Sequence, residues 1–391
     1  MKHSILFGPF SPNGHTARGL SLIELLVAIT LGLLLTAGMI QLFNSSKVTF
    51  QANDGIARVQ ENGRFALELL KQDLRQAGNL GFCAGQIEIR SHLNTGCGGG
   101  ADDFFNPNQA LVGWEFGSTG LGDNFALPTN LDPATASTGD WDSSASTSDL
   151  PNRLSGLPVP GSDVLVVRRM NALPGITALG NTPANSSSIN LVGAHGLPDN
   201  SLVLVTNCTT ADLFQNRTNA SATTFSAGSG SCSNPGPGND NSINWSTQYG
   251  SDMQAFAVSQ VAYYIGVNPV TGEPGLYRWN MSQGTSAAAA QELIEGAETM
   301  QILYGYSQAA PAGDGQSVNN WLTADQVPVD GWQQVIAIRL ALSVRSPGRA
   351  DLDQTDIEYD LAGANITVTG DGRIRQPFST TIALRNRVLV N

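Results

Sequence analysis

Glu24 is the one charge inside residues 20–43, an apolar run that reads LSLIELLVAITLGLLLTAGMIQLF. A carboxylate within a membrane helix costs roughly 2.5–3.5 kcal/mol on insertion scales, so such residues usually have a partner. Two readings of Glu24 stand on the residues alone. It pairs with a positive group presented by a neighbouring chain, or it snorkels as an acid near the end of an ordinary anchor. The four cysteines, Cys83, Cys97, Cys208 and Cys232, are the second set with chemistry. No two have CxxC spacing, which disfavours a zinc ribbon or a thioredoxin-like pair. Four cysteines allow three pairings. The short-range one, Cys83–Cys97 with Cys208–Cys232, closes two modest loops and is the expectation for an oxidising compartment. Four free thiols would suit a cytosolic chain, and the apolar run argues against that.

Other chemistry is sparse. Of the four histidines, His3 and His15 precede the apolar run, and His92 and His195 stand alone. There is no HxxxH or HExxH pair for a metal and no GxSxG elbow for a nucleophile. The glycines at 98–100 and 117–122 do not lie between a strand and a helix, as a phosphate loop requires. Asp351, Asp353, Asp356, Glu358 and Asp360 form one acidic cluster. It lacks the glycine and the closing glutamate of an EF-hand loop, so a solvated acidic loop and strand edge is expected there rather than a calcium site. No enzymatic activity, metal or cofactor is therefore expected. The formal charge is −12, and no Lys/Arg run interrupts it, so direct nucleic-acid binding is not expected either.

The elements that place these residues begin with the apolar run. As a helix, residues 20–43 span about 36 Å, enough for a hydrocarbon core of about 30 Å. Lys2 and Arg18 precede it and no acid does, which puts residues 1–19 in the cytoplasm and the rest outside. Those first residues have no apolar core of their own. The small residue, Gly19, comes before the apolar run, so a cut there leaves that run on the mature chain, unlike an ordinary secretory signal. Past Phe43 the pattern stays helical but becomes amphipathic. Ile56, Val59, Gly63, Ala66, Leu70, Leu74 and Ala77 form one stripe, widened by Leu67 and Leu69. Gly78-Asn79 reads as the stop. No proline interrupts residues 20–77, and one helix of that length would be about 85–90 Å long. Gly32 and Gly38 either weaken it or allow close helix packing.

Residues 80–160, rich in Gly, Asn, Asp, Ser and Pro, read as long loops held by Trp114, Phe116 and Trp141. Strand patterns follow at 163–169, 202–206, 255–267, 275–279, 299–306, 335–345 and 378–390. Residues 268–272 form the turn between two of them, and the Asn/Thr/Ser/Gly segment between Cys208 and Cys232 reads as a surface loop. The expected fold class is α+β: a long N-terminal helix on a mostly antiparallel sheet. The divisions are a leader (1–19), a membrane or filament-core helix (20–43), its amphipathic continuation (44–79) and a β-rich head (80–391).

The string Arg18-Gly19-Leu20-Ser21-Leu22-Ile23-Glu24-Leu25-Leu26-Val27 closely resembles the leader junction of type IV prepilins and pseudopilins. In that family a membrane aspartic protease cuts after the Gly and methylates the new N-terminus. The Glu pairs with the N-terminal amine of an adjacent subunit during assembly. By resemblance, Gly19 precedes the cut, Leu20 is the methylated first residue and Glu24 the assembly acid. The family more often has Phe where this chain has Leu20. A second resemblance lies in QVAYYIG, GLYRW, LIEGAETMQILYGY, VIAIRLALSVRS and FSTTIALRNRV, and in RFALELLKQDLRQAG at residues 64–78. These look like PilW-type minor pilins. That likeness implies a type IV pilin-like fold and a low-abundance subunit without catalytic activity. It implies initiation of pilus assembly, a place at the pilus tip, and support of twitching, adhesion and DNA uptake. The implied partners are other minor pilins, the major pilin, the prepilin peptidase, the inner-membrane assembly platform, a large tip adhesin and the membrane itself. The implied location is the inner membrane, with a periplasmic head, and then the pilus surface. A J-type minor pseudopilin of a type II secretion system is the alternative with the same leader.

Overall fold

Helix formers without proline run through the first part of the chain, and α1 (Leu22–Arg75) is continuous across them. The computed structural model describes residues 21–78, 89–94, 109–145, 149–229, 237–240, 244–281, 290–308, 317–329, 331–349 and 355–384. Ser21 and Glu24 close the start of α1 reciprocally. The Glu24 N–H donates to Ser21 Oγ at 3.2 Å, and the Ser21 N–H donates to Glu24 Oε2 at 3.1 Å. This is a capping box, which satisfies helix donors that otherwise lack partners. At the other end Gly78 adopts φ 68°, the left-handed conformation that stops helices at glycine.

The chain divides into two compact units, Met1–Gln51 and Ala52–Asn391. In the first, every side chain over residues 21–47 is exposed, the leucines included. In the second, the rest of α1 buries Gly55, Val59, Gly63, Ala66, Leu70 and Leu74, and Ala77 follows them into the core. The expected stripe is thus present from Val59 onward, but Ile56 is 41% exposed and Gly55 takes its place. A Cβ on Gly55 would lie 3.2 Å from the Ser346 Cβ, so the backbone itself is what packs there. One residue on, about 100° around the helix, Ile56 turns outward.

The strands in chain order are β1 (Ile89–Ser91), β2 (Leu111–Phe116), β3 (Asn124–Leu127), β4 (Trp141–Asp142), β5 (Val164–Ala172) and β6 (Ser188–Asn190). Then come β7 (Leu202–Thr206), β8 (Ala211–Gln215), β9 (Thr224–Ser226), β10 (Gln254–Val267), β11 (Pro274–Asn280) and β12 (Gln291–Glu295). The last are β13 (Ala297–Tyr306), β14 (Asn320–Leu322), β15 (Val335–Arg345), β16 (Ile357–Leu361), β17 (Ala364–Val368) and β18 (Arg375–Ala383). The largest sheet runs β1-β8-β7-β10-β5-β2-β4, with β11 and β12 added beside β10. It forks because β10 is long. One edge of β10 pairs β7 through 254–257 and then β11 through 261–267, while the other edge pairs β5. A second sheet runs β14-β13-β15-β18, a third β16-β17-β3, and β6 pairs β9. Pairing is antiparallel except β1 with β8 and β17 with β3.

Two expected loops hold strands. Residues 80–160 contain β2, a buried member of the largest sheet, and the segment after Cys208 contains β8, buried along its whole length. β7 and β8 are covered on both faces. Leu204 and Leu213 point into the core shared with α1, while Val203, Val205 and Phe214 enter a second, smaller core. Burial on both sides removes the alternation that marks a one-sided strand. The expected turn at 268–272 is present, with Asn268 Oδ1 accepting the Val270 N–H at 2.9 Å and Gly272 at φ 72°.

Residues 161–163 join the two main sheets. Asp163 N–H donates to Met300 O at 2.8 Å, and Ser162 Oγ accepts the Met300 N–H at 3.1 Å. The Asp163 carboxylate accepts the Phe116 N–H from β2 at 3.1 Å and the Ile302 N–H from β13 at 2.8 Å. Thr299 Oγ1 and Gln301 Nε2 donate to Gly161 O at 2.6 and 3.0 Å.

At Gly63 α1 comes close to the second sheet: a Cβ there would fall 2.3 Å from Cε2 of Phe378 on β18. Gly63→Leu should therefore destabilise the chain by about 1–3 kcal/mol through overpacking, although leucine is the better helix former by nearly 1 kcal/mol. Thermal unfolding of the full chain in detergent measures this. Phe378→Ala in the same chain should recover part of the loss, as neighbours in contact do not act additively. An unchanged melting temperature in Gly63→Leu would rule the contact out.

Candidate anchoring and assembly sites

Gly19 and Leu20 lie outside the described residues, as do Cys83, Cys97 and Cys232. Glu24 sits in the first turn of α1, exposed, with Ser21 as its only partner among the described residues. The S-x-x-E spacing of that cap is a sequence signal in its own right, and Ser21 was not singled out by it. Cys208 is disulfide-bonded, and its partner falls outside the described residues. It has φ 68°, and its N–H donates to Thr206 Oγ1 at 3.0 Å.

Three polar clusters fix the head, and none was legible as a motif. The first holds the end of α1. Asp73 accepts from Arg169 Nη1 at 2.9 Å, from Arg278 Nε at 3.1 Å and from the Tyr263 hydroxyl. Burial, and then the Asp73 carboxylate, push the Tyr263 hydroxyl well up, so it stays a donor. Asp73 thereby ties α1 to β5, β10 and β11 together.

The second cluster lies where β15 ends and β18 begins. Glu273 accepts from Arg345 Nη2 at 2.7 Å and from Arg373 Nη1 and Nη2 at 2.8 Å each. Glu298, almost fully buried, accepts from Arg375 Nε at 2.7 Å and Arg345 Nη1 at 2.9 Å. Burial works against the Asp371 carboxylate, but its hydrogen bonds from Arg375 and from the Arg373 N–H hold it down to about 2. Breaking such a half-buried pair costs more than forming it gains, because a charge is left without its partner.

The third cluster belongs to the smaller core. Asp212, fully buried, accepts from Tyr249 OH at 2.6 Å, Ser246 Oγ at 2.8 Å and the Ser246 N–H at 3.0 Å, and it contacts His92 Nε2 at 2.6 Å. Burial raises Asp212, but those hydrogen bonds outweigh it and leave the group lowered. His195 contacts Thr218 Oγ1 at 3.0 Å and stacks on Phe225. Both histidines thus have structural surroundings. Asp356 and Asp360 of the acidic segment accept the N–H groups of Gly370 and Gly363, at 3.1 and 3.3 Å. Asp351 and Asp353 lie outside the described residues. Among the described residues no group of three or more His, Cys, Asp or Glu is disposed to hold a metal ion.

The arrangement is that of an α+β chain with a long apolar N-terminal helix and a mostly antiparallel sheet head, and that helix is long and apolar enough to cross a membrane. Residues 262–386 match the family model described as type IV pilus-assembly protein W, PilW. The resemblance to PilW-type proteins is borne out over that stretch, which marks the chain as type IV pilus-related. The solved structure of a type IV-like pilin from Thermus thermophilus is a distant likeness, 16% identical over 34% of this chain and 69% of that one, with a TM-score of 0.18. No curated protein matches the chain. The matched stretch supplies several of the groups that α1 packs against: Tyr263, Arg278, Ser346, Ile374, Phe378 and the Glu295 carbonyl that Asn62 Nδ2 reaches at 3.0 Å.

A buried carboxyl pair sits at the junction of the sheets. Burial, then the neighbouring Asp163, pushes Glu115 up to about 11, so it is protonated at neutral pH. Thr119 Oγ1 donates to its Oε1 at 3.1 Å. Burial raises Asp163 to about 7 despite the two backbone N–H groups it accepts. Both folded-state values lie above those of the unfolded chain. The stability they carry is complete below about pH 4 and is lost as pH rises, through about 7 for Asp163 and onward for Glu115. Glu115→Gln cannot lose that proton. Its stability should fall less steeply with pH, and at about pH 9 it should exceed the wild type by about 1 kcal/mol or more. Denaturant unfolding at about pH 5, 7 and 9 tests this, and parallel profiles for the two chains would refute it.

Proposed function

We propose that the chain is a minor pilin of a type IV pilus, anchored in the inner membrane by the first part of α1 with its head in the periplasm. It acts with other minor pilins in starting pilus assembly and stays at the tip, where it supports twitching and adhesion. One observation carries most of this reading. An uncovered apolar helix opens on a lone carboxylate, in a chain whose C-terminal part matches the PilW family. An uncovered apolar surface of this size needs lipid or other helices around it.

The prepilin peptidase cuts after Gly19 and methylates Leu20. In the single chain Glu24 is held by the Ser21 N–H, so the carboxylate enters the membrane with one hydrogen bond already made. In the filament the new N-terminal amine of an adjacent subunit replaces that neutral donor with a charged one, and charge-assisted hydrogen bonds are the stronger. The chain is not assigned a catalytic role.

The mature protein from native membranes should begin at N-methylated Leu20, as read by intact mass and the N-terminal peptide. A chain that still starts at Met1 in cells with active peptidase would refute the pathway. Gly19 replaced by a bulky residue should leave the precursor uncut. Glu24→Ala and Glu24→Gln should both be cut yet enter sheared pili about tenfold less or worse, the loss expected from one charge pair. Glutamine still completes the capping box, so normal assembly of Glu24→Gln would mean that the cap, not a charge pair, is the role of Glu24. Deleting the gene should abolish pili and twitching; loss of enzyme secretion instead would favour the J-type pseudopilin.

A further inference from the structure

The second sheet ends on β18, which pairs β15 on one side and no strand on the other among the described residues. The Leu384 N–H donates to Ile336 O at 2.8 Å, which sets the phase of the ladder. In an antiparallel pair hydrogen-bonded positions alternate, so Ile382 and Thr380 bond inward. Ser379, Thr381 and Ala383 aim their N–H and C=O groups outward, and their side chains are exposed. Pro377 also falls on an outward position, where its missing N–H breaks no ladder bond. Three consecutive outward positions therefore remain open.

The face of the sheet beside that edge carries a second, independent feature. Arg339 on β15 lies directly across from Thr381. Its guanidinium sits 4.4 Å from the ring centroid of Trp321, half-buried, and among the described residues it has no carboxylate partner. Arg345, Arg373 and Arg375, half-buried on the same sheet or beside it, are by contrast held by acids. Arg339 lines a groove of about 430 Å³ together with Ala341, Ser379, Leu121, Pro377 and the β16–β17 turn. The acid in its lining, Asp360, is engaged with the Gly363 N–H of its own turn. A stacked arginine with its fork free suits a carboxylate in a bidentate pair.

We infer that β18 is a docking edge for an extended segment of a neighbouring pilus subunit, which adds as a fifth strand and places an Asp or Glu side chain on Arg339. This rests on the pilus reading for the identity of the neighbour. The backbone ladder supplies affinity, and the carboxylate fixes register, as in other cases of strand addition. Small side chains on the outer strand leave the way to Arg339 clear.

The test places a photo-cross-linking residue at Thr381 of the full chain in cells that make pili, with Leu179, exposed on the smaller lobe, as the control position. Cross-linked peptides are identified by mass spectrometry. The expected adduct from position 381 is a strand-forming segment of another pilus subunit, with an acid within a few residues of the link, and it is absent from position 179. Arg339→Met keeps the stem over Trp321 but removes the charge; it should cut the adduct about tenfold, and Arg339→Lys should retain part of it. Thermal unfolding of both variants should match the wild type. An adduct insensitive to Arg339→Met, or none at 381 while the chain still copurifies with other pilus subunits, would overturn the docking edge alone. A chain that copurifies with no pilus subunit would overturn it together with the pilus reading.

Discussion

Asp163 has to satisfy two sheets at once, and the head depends on it. Its carboxylate takes a backbone N–H from β2 and another from β13, while its own N–H and its neighbours Gly161 and Ser162 occupy the adjoining positions on β13. Trp141 Nε1 closes the set on Ser162 O at 2.8 Å. Sheet edges that meet inside a protein leave donors with nowhere to go, and a buried unpaired N–H costs about 1–3 kcal/mol. A short, doubly accepting side chain meets that need without spreading the sheets apart. Its drawback is a charge in a dry place, and Glu115 answers it by keeping a proton beside it. Gly113, two residues before Glu115, completes the fit, since a Cβ there would fall on the Tyr304 hydroxyl.

With the sheets joined, one surface is left for α1 to cover, and the helix meets it in two ways. Glycine and small residues let the backbone approach at Gly55 and Gly63, and leucines fill the core at Leu70 and Leu74. At the end Asp73 binds groups from three strands. An apolar stripe alone permits sliding by a turn, whereas three directional contacts on one carboxylate do not. Registry of this sort is the best-attested use of partly buried ion pairs, whose net stabilisation is small. The side chains over 21–47 are exposed, and that part of the helix carries no such device among the described residues.

Much of this was legible in the sequence, and the exceptions share a cause. The helix, its glycine stop and strands such as β7 and β15 were legible because their patterns are local. Ile56 misled because a three-to-four spacing tolerates either of two adjacent starting residues, and only the closeness of Ser346 decides for Gly55. β8 was hidden by neighbours rich in Asn, Thr and Ser, although ADLFQ lies within them; its pairing with β7 brings it inside. The β16–β17 hairpin was read as an acidic loop and edge because Glu358 and Asp360 dominate its pattern, yet Ile357, Tyr359 and Leu361 alternate with them. Asp163 and Ile302 are 139 residues apart, and Asp73 and Arg278 are 205 apart. No spacing rule spans such distances.

The two cores divide the head into parts with different freedom. The large core lies beneath α1, and its strands β10 to β18 coincide with the stretch that carries the PilW pattern. Changes there would meet the helix, the Asp73 contacts or the arginine–carboxylate cluster. The smaller core hangs on the far faces of β7 and β8, with Asp212 and Tyr249 at its centre and the disulfide at Cys208 nearby in sequence. Its polar network closes on itself and reaches α1 nowhere among the described residues. That lobe can therefore vary in sequence and loop length without altering how the helix is held, since loops far from a core are the tolerant parts of a fold. It also lies outside the stretch that matches the family. The matched stretch, by contrast, supplies Tyr263, Arg278 and Phe378, which meet α1 at Asp73 and Gly63.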